Sequence, residues 1–286
     1  MKISIITPVF NGAASIEKTI QSVISQKRNC SLEYIIIDGG SDDGTQAIIQ
    51  RYKDDIDYFV SEKDGGVYDA MNKGIQNATG DIIGIINADD WYNEDAFISV
   101  EECFQKTPDL SVVYSPIDNY LEGVFFNTFV PGGIDNLYLK FVLNHPSCFI
   151  RESVYDELGA FDLSYKIAAD YDLISRAYSA GFVFQFIDKT LASYSLDGMS
   201  GFQAPFSTKI KQLRESQKVS TSRILETEKH YIFKQQRKFY IQSYLKLFLT
   251  FPLKKLGIIT PQRTNKVKNF IRSNFGKLRS DSYGSW

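Results

Sequence analysis

Short apolar runs alternate with longer segments of helical spacing through the first 115 residues. Ile3–Thr7 is the first run, and Ala13–Gln26 follows with Ile16, Ile20, Val23 and Ile24 at helical intervals. Tyr34–Ile37 is the second run, halted by "DGGSDDGT", after which Thr45–Tyr52 reads as helix. Asp57–Val60 predicts a third strand, Tyr68–Asn77 a third helix and Asp81–Ile86 a fourth strand. Glu94–Gln105 predicts another helix and Leu110–Tyr114 a fifth strand. The runs are rich in Ile and do not alternate with polar residues, as strands buried on both faces do. The expectation is an α/β fold, a Rossmann-like and mostly parallel sheet flanked by helices.

The pattern loosens over Ser115–Asn144, which is irregular and aromatic. It recovers at Asp170–Ala180, a helix ended by Gly181, and at Phe182–Ile187, another strand. Beyond Gly201 the chain reads as helical, basic and aromatic. These breaks divide the chain into 1–200, with halves at 1–115 and 116–200, and a C-terminal region at 201–286. Charge reinforces the last boundary. The net charge of −2 conceals 18 Lys and Arg against four Asp and Glu from Gly201 on, a local +14. Residues 1–200 carry 14 basic and 30 acidic residues, a local −16.

No signal-peptide pattern opens the chain and no apolar run is long enough to span a bilayer, so a cytoplasmic location is expected. Cys30, Cys103 and Cys148 are scattered and odd in number, which fits a reducing compartment. With only His145 and His230 present, a multi-histidine metal site is excluded.

In open α/β sheets ligands bind beyond the carboxyl ends of the strands. Here "TPVFN" follows the first strand, "DGGSDDGT" the second, "EKDGG" the third and "NADD" the fourth. Each alone is ordinary turn and cap chemistry; four on one sheet edge point to a ligand site. Asp89 and Asp90 suit Mg or Mn, which takes one or two protein carboxylates and completes its shell with phosphate oxygens and water. Asp90 has a second reading as the cap of the helix starting near Asn93. Asp38, followed by Gly39 and Gly40, has a backbone that a ligand can approach closely. Ser41, Asp42 and Asp43 are expected to cap the helix that follows. Neither GxGxxG nor GxxxxGK[ST] is present, which disfavours a dinucleotide oxidoreductase and a P-loop enzyme.

The segments "SIITPVFNGAASIEKTIQSVISQ", "EYIIIDGGSDDGT", "EKDGGVYDAMNKGIQNATGDIIGIINADDW" and "YKIAADYDLISRAYSAGF" resemble family 2 glycosyltransferases of the GT-A fold. They look most like the bacterial branch that builds capsule, O-antigen and exopolysaccharide. The resemblance covers about residues 1–200 and implies a catalytic domain there, its first half binding a nucleotide-diphosphate sugar, a UDP-sugar first, and its second half the acceptor. It implies that Pro8, Phe10 and Asn11 border the nucleoside and that Asp38 binds the base. Gly66, Asp69, Asn72 and Lys73 would sit near the ribose and diphosphate. Asn87, Ala88 and Asp89 would occupy the DxD position, where a divalent cation bridges the diphosphate. Asn87 replaces the first Asp and supplies no charge there.

"AADYDL" matches the segment holding the catalytic base, which the resemblance assigns to Asp170, with Ala169 where an acidic residue is common and Asp172 as the fallback. The residues themselves also allow Asp170 to be a helix N-cap. The implied reaction is inverting transfer by single displacement, to a glycan or lipid-linked glycan. His145, in "NHPSCF", reads either as a lining of the acceptor pocket or as a loop histidine bonded to backbone. "YSLDGMSG" lacks the basic residue of the lid in many relatives, leaving Gly198 and Ser200 as loop formers.

The stretch "HYIFKQQRKFYIQSYLKLFLTFPLKKL" interleaves cations with aromatic and aliphatic residues. It fits a peripheral helix on the inner face of the cytoplasmic membrane, a helix packed on the acidic domain, or a homodimer contact. Nucleic acid is not expected as a partner. The final "SDSYGSW" is expected to fray. Two further classes stand beside the enzyme: an inactive nucleotide-sugar-binding scaffold subunit, left open by Asn87, Ala169 and the bare lid although Asp38, Asp89 and Asp170 argue for activity, and a nucleotidyltransferase, disfavoured because its basic, Gly-rich triphosphate loop is absent.

Overall fold

The computed structural model describes residues 1–198, 204–227, 229–255 and 260. Ser200 of the lid segment and the terminal "SDSYGSW" lie outside the described residues. The elements run β1 (Lys2–Val9), α1 (Ile16–Ile24), β2 (Ser31–Asp38), α2 (Thr45–Gln50), β3 (Tyr58–Ser61), α3 (Val67–Asn77) and β4 (Ile82–Ile85). There follow β5 (Trp91–Tyr92), α4 (Ala96–Lys106), β6 (Leu110–Tyr114), β7 (Ile117–Leu121), β8 (Val124–Phe129), β9 (Cys148–Arg151) and α5 (Glu152–Leu158). The described chain closes with α6 (Ala169–Ser179), β10 (Val183–Phe186), β11 (Ala192–Ser195), α7 (Phe206–Glu226) and α8 (Phe233–Lys255). It divides into two compact units, Met1–Asp118 with Leu143–Tyr194, and Asn119–Val142 with the residues from Ser195 on.

The first unit is built on a seven-stranded sheet in the order β10-β6-β9-β4-β1-β2-β3. β1 pairs in parallel with β2 and β4, β2 with β3, and β6 with β10. β9 alone runs antiparallel, wedged between β4 and β6. The Ile-rich strands form the core: Ile3, Ile5, Ile6, Ile35, Ile36, Ile37 and Ile82 have no exposed surface. Helix α1 buries Ile16, Thr19, Ile20 and Val23, the spacing of one helical face. On α3, Gly74 presses against Ile6 of β1, leaving no room for a β-carbon.

Register decides where the polar clusters fall. Val9 lies opposite Asp38, Asp38 opposite Ser61, and Ile6 opposite Ile85. The ends of β1, β2, β3 and β4 therefore share one edge of the sheet. Gly39 N–H donates to the Val9 carbonyl (2.8 Å) and Ile86 N–H to the Ile6 carbonyl (2.9 Å), holding the departing loops together.

In the second unit the end of β7 and β8 form a hairpin whose turn, Glu122–Gly123, has two positive φ angles. Helices α7 and α8 pack on each other, with Gln236 donating to Thr221 (2.8 Å) and Ser220 (3.1 Å). Phe206 meets the rings of Phe248 and Phe251. Among the described residues no helix is long and apolar enough to cross a membrane.

Candidate active site

The loops after β1 and β2 are laced to each other. Asn11, in left-handed backbone (φ 51°), donates its N–H to Ser41 Oγ (2.7 Å) and accepts the Asp42 N–H at 3.1 Å. Gly12 N–H donates to Thr45 Oγ1 and Ala13 N–H to Asp43 Oδ2. Asp43 also accepts the N–H and hydroxyl of Thr45, the first residue of α2; these hydrogen bonds, the hydroxyl first, hold its carboxyl below the usual range. Ser41 and Asp43 thus bind loop to loop, while the cap position of α2, expected of Ser41–Asp43, is taken by Gly44 in left-handed backbone (φ 100°) without a side-chain cap bond.

Asp38 lies beneath this lacing with no exposed surface. Its carboxylate accepts the N–H and hydroxyl of Ser41 and the hydroxyl of Ser61. The expectation that Asp38 meets a base directly therefore faces a carboxylate already supplied with donors from two loops. The accessible rim above it is Phe10, 65 % exposed, and Asn11. Gly39 fits between them and the third loop: a β-carbon there would come within 2.7 Å of Asp64 Oδ2 and 3.4 Å of the Phe10 ring.

After β3 the chain turns into α3 through Gly66 at φ 114°, a conformation that favours glycine. Asp64 accepts the Gly66 N–H and Asp69 the Gly65 N–H, both at 2.8 Å. Lys73 is paired with Glu62 at 2.7 Å and stands 3.8 Å from Asp69; the Glu62 hydrogen bond is the main reason its pKa is raised. Asn72 donates to the Phe161 carbonyl and accepts the Phe161 N–H, each at 2.9 Å, so its amide is committed to main chain. A small cavity of about 30 Å³ opens beside this turn, lined by residues that include Gly66, Asp69, Tyr165 and Lys166.

At the end of β4, Asp90 N–H donates to the Asn87 carbonyl (3.1 Å), closing a tight turn with Ala88 and Asp89 at its tip. Asn87 Nδ2 donates to Asp90 Oδ2 at 3.4 Å, and Thr19 of α1 donates to the Asp90 carbonyl at 2.6 Å. Asp90 is fully buried and Asp89 half-buried. The amide at position 87 supplies a donor that a carboxylate there would lack. Among the described residues no group of three or more His, Cys, Asp or Glu side chains could hold a metal ion. A half-buried Asp89 still suits a cation that takes most of its oxygens from a bound diphosphate.

Asp170 is not the cap of α6; Ala168 holds that position and Asp170 lies in the first turn. Its Oδ1 accepts the Tyr171 N–H at 2.8 Å and stands 3.3 Å from the Tyr68 hydroxyl. Asp172 is buried and paired with Arg176 Nε at 2.8 Å, while Arg176 also donates to the carbonyls of Leu158 and Ala160. That bond set makes Asp172 a brace between α6 and the end of α5. Ala169 has no exposed surface, so the site of the common acidic residue is here part of the core. His145 is buried with its ring 5.8 Å from that of Phe161, and burial pushes its pKa down to about 4. It is therefore neutral at physiological pH. Tyr68 was not marked by any local pattern; only the fold brings it to Asp170.

A family model described as "Glycosyl transferase family 2" matches residues 4–158, more than half of the chain. The chain belongs to glycosyl transferase family 2. This glycosyltransferase is 33 % identical over 181 residues to an uncharacterized glycosyltransferase of Mycobacterium tuberculosis, spanning 61 % of this chain and 68 % of the relative. It is 29 % identical over 202 residues to a PGL/p-HBAD biosynthesis glycosyltransferase of Mycobacterium bovis, spanning 67 % and 76 %. Its fold is shared with S. aureus TarS 1-349 in complex with UDP-GlcNAc (TM-score 0.65, 16 % identity, 96 % of this chain and 81 % of that one). The mannosyltransferase PcManGT from Pyrobaculum calidifontis, in complex with GDP-Man and Mn2+, is alike to a TM-score of 0.59, with 16 % identity over 96 % and 76 % of the chains. The family match takes in all four strand ends and His145, whereas Asp170 and Asp172 lie beyond it.

Proposed function

We propose that this glycosyltransferase moves a sugar from a nucleotide-diphosphate donor, a UDP-sugar first, to a glycan or lipid-linked glycan in bacterial surface-polysaccharide synthesis, with inversion. The observation that carries this reading is the shared edge of β1 to β4, where the Phe10–Asn11 rim, the first turn of α3 and Asp89 all lie beyond strand ends. It is supported by the complexes of the two fold neighbours, one with UDP-GlcNAc and one with GDP-Man and Mn2+.

In this reading Pro8, Phe10 and Asn11 border the nucleoside, with Asp38 holding their loop from below. Gly66 and Asp69 set the first turn of α3, whose N–H groups attract the diphosphate, and Lys73 lies one turn further on. Asp89, in the Asn87–Asp89 turn, would hold Mg or Mn together with diphosphate oxygens. The cation, when bound, supplies Lewis-acid stabilisation of the leaving diphosphate. The bond from the acceptor oxygen to the anomeric carbon forms as the bond to the diphosphate breaks, the electron pair leaving with the nucleotide. The acceptor proton passes to the Asp170 carboxylate, which requires hydrogen-bond reach in the bound complex.

The exposed face of α8 supports an anionic membrane surface at the cytoplasmic side as the place of work. Lys234, Arg237 and Lys238 are exposed at its start, and Ile241, Leu245 and Leu249 further along. A panel of nucleotide sugars with Mg or Mn tests the main reading: transfer or slow hydrolysis of one donor is expected, and Asp170→Asn should abolish it while nucleotide still binds. Failure of every donor to bind overturns the reading. The buried Ala169 favours a second reading, an inactive nucleotide-sugar-binding scaffold, which the same panel would reveal as binding without turnover.

A further inference from the structure

We infer that Tyr68 is the positioning residue for Asp170, its hydroxyl orienting the carboxylate and linking it to the first turn of α3. The inference rests on the reading of Asp170 as the base and adds a residue from a different helix, 102 positions earlier. The Tyr68 ring is buried and lies 5.3 Å from the ring of Phe161. Phe161 is in turn clasped through its main chain by Asn72, four residues after Tyr68 on the same helix. Both the ring and the residue it packs on are thereby tied to α3, which sets the place of the hydroxyl.

That hydroxyl is 2.8 Å from the Ile167 carbonyl oxygen and 3.3 Å from Asp170 Oδ1. A phenol has one proton, and both neighbours accept. The Tyr171 N–H also points at Oδ1. Oδ1 is thus held by two donors, one from α3 and one from the main chain of α6. When Asp170 is charged it draws the Tyr68 proton; when Asp170 is protonated the Ile167 carbonyl takes it back. Tyr68 is therefore a donor with two resting places, and the first favours the charged, base-ready form. The groups around Asp170 include the Cys148 thiol of β9, whose pKa is raised first by burial and then by the Asp170 charge, and, two residues on in its own helix, Asp172, paired with Arg176. The site joins its two halves here: Tyr68 belongs to the turn proposed to meet the diphosphate, and Asp170 to the side that meets the acceptor.

Tyr68→Phe keeps the ring and removes the hydroxyl. Its kcat is expected to fall about 3- to 10-fold on the pH plateau with the donor KM unchanged. The acidic limb of the pH–rate profile should move up by about one pH unit. Incorporation of 3-fluorotyrosine at position 68, a nearly isosteric and stronger donor, should move that limb down. A limb that stays in place in both proteins, or a rate loss uniform in pH, means a packing role only and overturns the inference. Asp170→Asn separates the two levels: if it turns over normally, the base reading has failed and Tyr68 with it. If it is inactive while the two Tyr68 profiles stay unmoved, the inference about Tyr68 alone has failed.

Discussion

Asn72 and Phe161 hold each other through two hydrogen bonds of 2.9 Å, side-chain amide to carbonyl and main-chain N–H to amide oxygen. The family resemblance implies a place for Asn72 beside the ribose and diphosphate. The fold turns its amide toward the loop before α6 instead. Asn72→Ala removes both bonds and leaves two main-chain groups without them, a loss of about 2 kcal/mol. A lower urea midpoint with nucleotide affinity changed less than about threefold is the expected pair of results. A large loss of affinity in a fully stable variant would restore Asn72 to the donor site.

Asp172 and Arg176 separate a structural carboxylate from the proposed catalytic one. Asp172 is buried and Arg176 partly so, and Arg176 also carries the carbonyls of Leu158 and Ala160. Removing one member strands the other charge, which typically costs about 3–5 kcal/mol. Asp172→Ala should therefore lose stability on denaturant titration, yet retain substantial turnover in its folded fraction. Asp170→Asn should do the opposite, with little change in midpoint and no turnover. Equal stability and lost turnover in Asp172→Ala would return the fallback base to first place.

His145 sets a pH limit on stability. Burial lowers its pKa from about 6.5 to about 4, so the unfolded chain binds a proton in that interval and the folded chain does not. The contribution is constant above about pH 6.5 and is lost as pH falls toward 4, up to about 3 kcal/mol. Denaturant midpoints measured from pH 7.5 to 4.5 should fall, and His145→Gln should flatten that slope. An unchanged slope would mean that the imidazole is solvated enough to take a proton in place. Glu33 acts lower on the scale. Burial would raise its carboxyl, but hydrogen bonds from Lys2, Ser4 and Thr79 outweigh that and hold it near 2. Its stabilisation is kept above about 4.5 and lost as pH falls toward 2, mostly below the His145 window.

β1, β2 and β4 were legible because each is an Ile-rich run, largely buried and followed by polar turn residues, whereas β3 is a partly exposed edge strand without isoleucine. β9 was not legible: "CFIR" is four residues long and becomes a strand only because β4 and β6 flank it. The same limit governs the site. Asp38 was found at its strand end, but its burial depends on Ser61 across β3, 23 residues on. Asp170 was marked by its motif, while Ala168 as the cap and Tyr68 as a neighbour come from packing. Local patterns locate the loops; long-range contacts decide which side chains in them are accessible.

The turn at the end of β4 shows what that distinction means for metal. Of its two carboxylates, Asp90 is fully buried and takes a hydrogen bond from Asn87, which leaves Asp89 as the half-buried one. One carboxylate makes a weak cation site until phosphate oxygens join it. Mn2+ titrated into the protein alone should bind only at about millimolar concentration, and UDP should tighten it at least tenfold, as read by calorimetry or by the loss of free-Mn2+ paramagnetic signal. Asp89→Asn should abolish the tightening without lowering the melting temperature. Asn87→Asp restores a formal charge but removes the donor to Asp90 and sets two carboxylates against each other. That variant should lose about 1–2 kcal/mol of stability without metal and recover part of it with Mn2+ and UDP together. Tight Mn2+ binding to the nucleotide-free protein would show that the turn rearranges to present Asp90 as well.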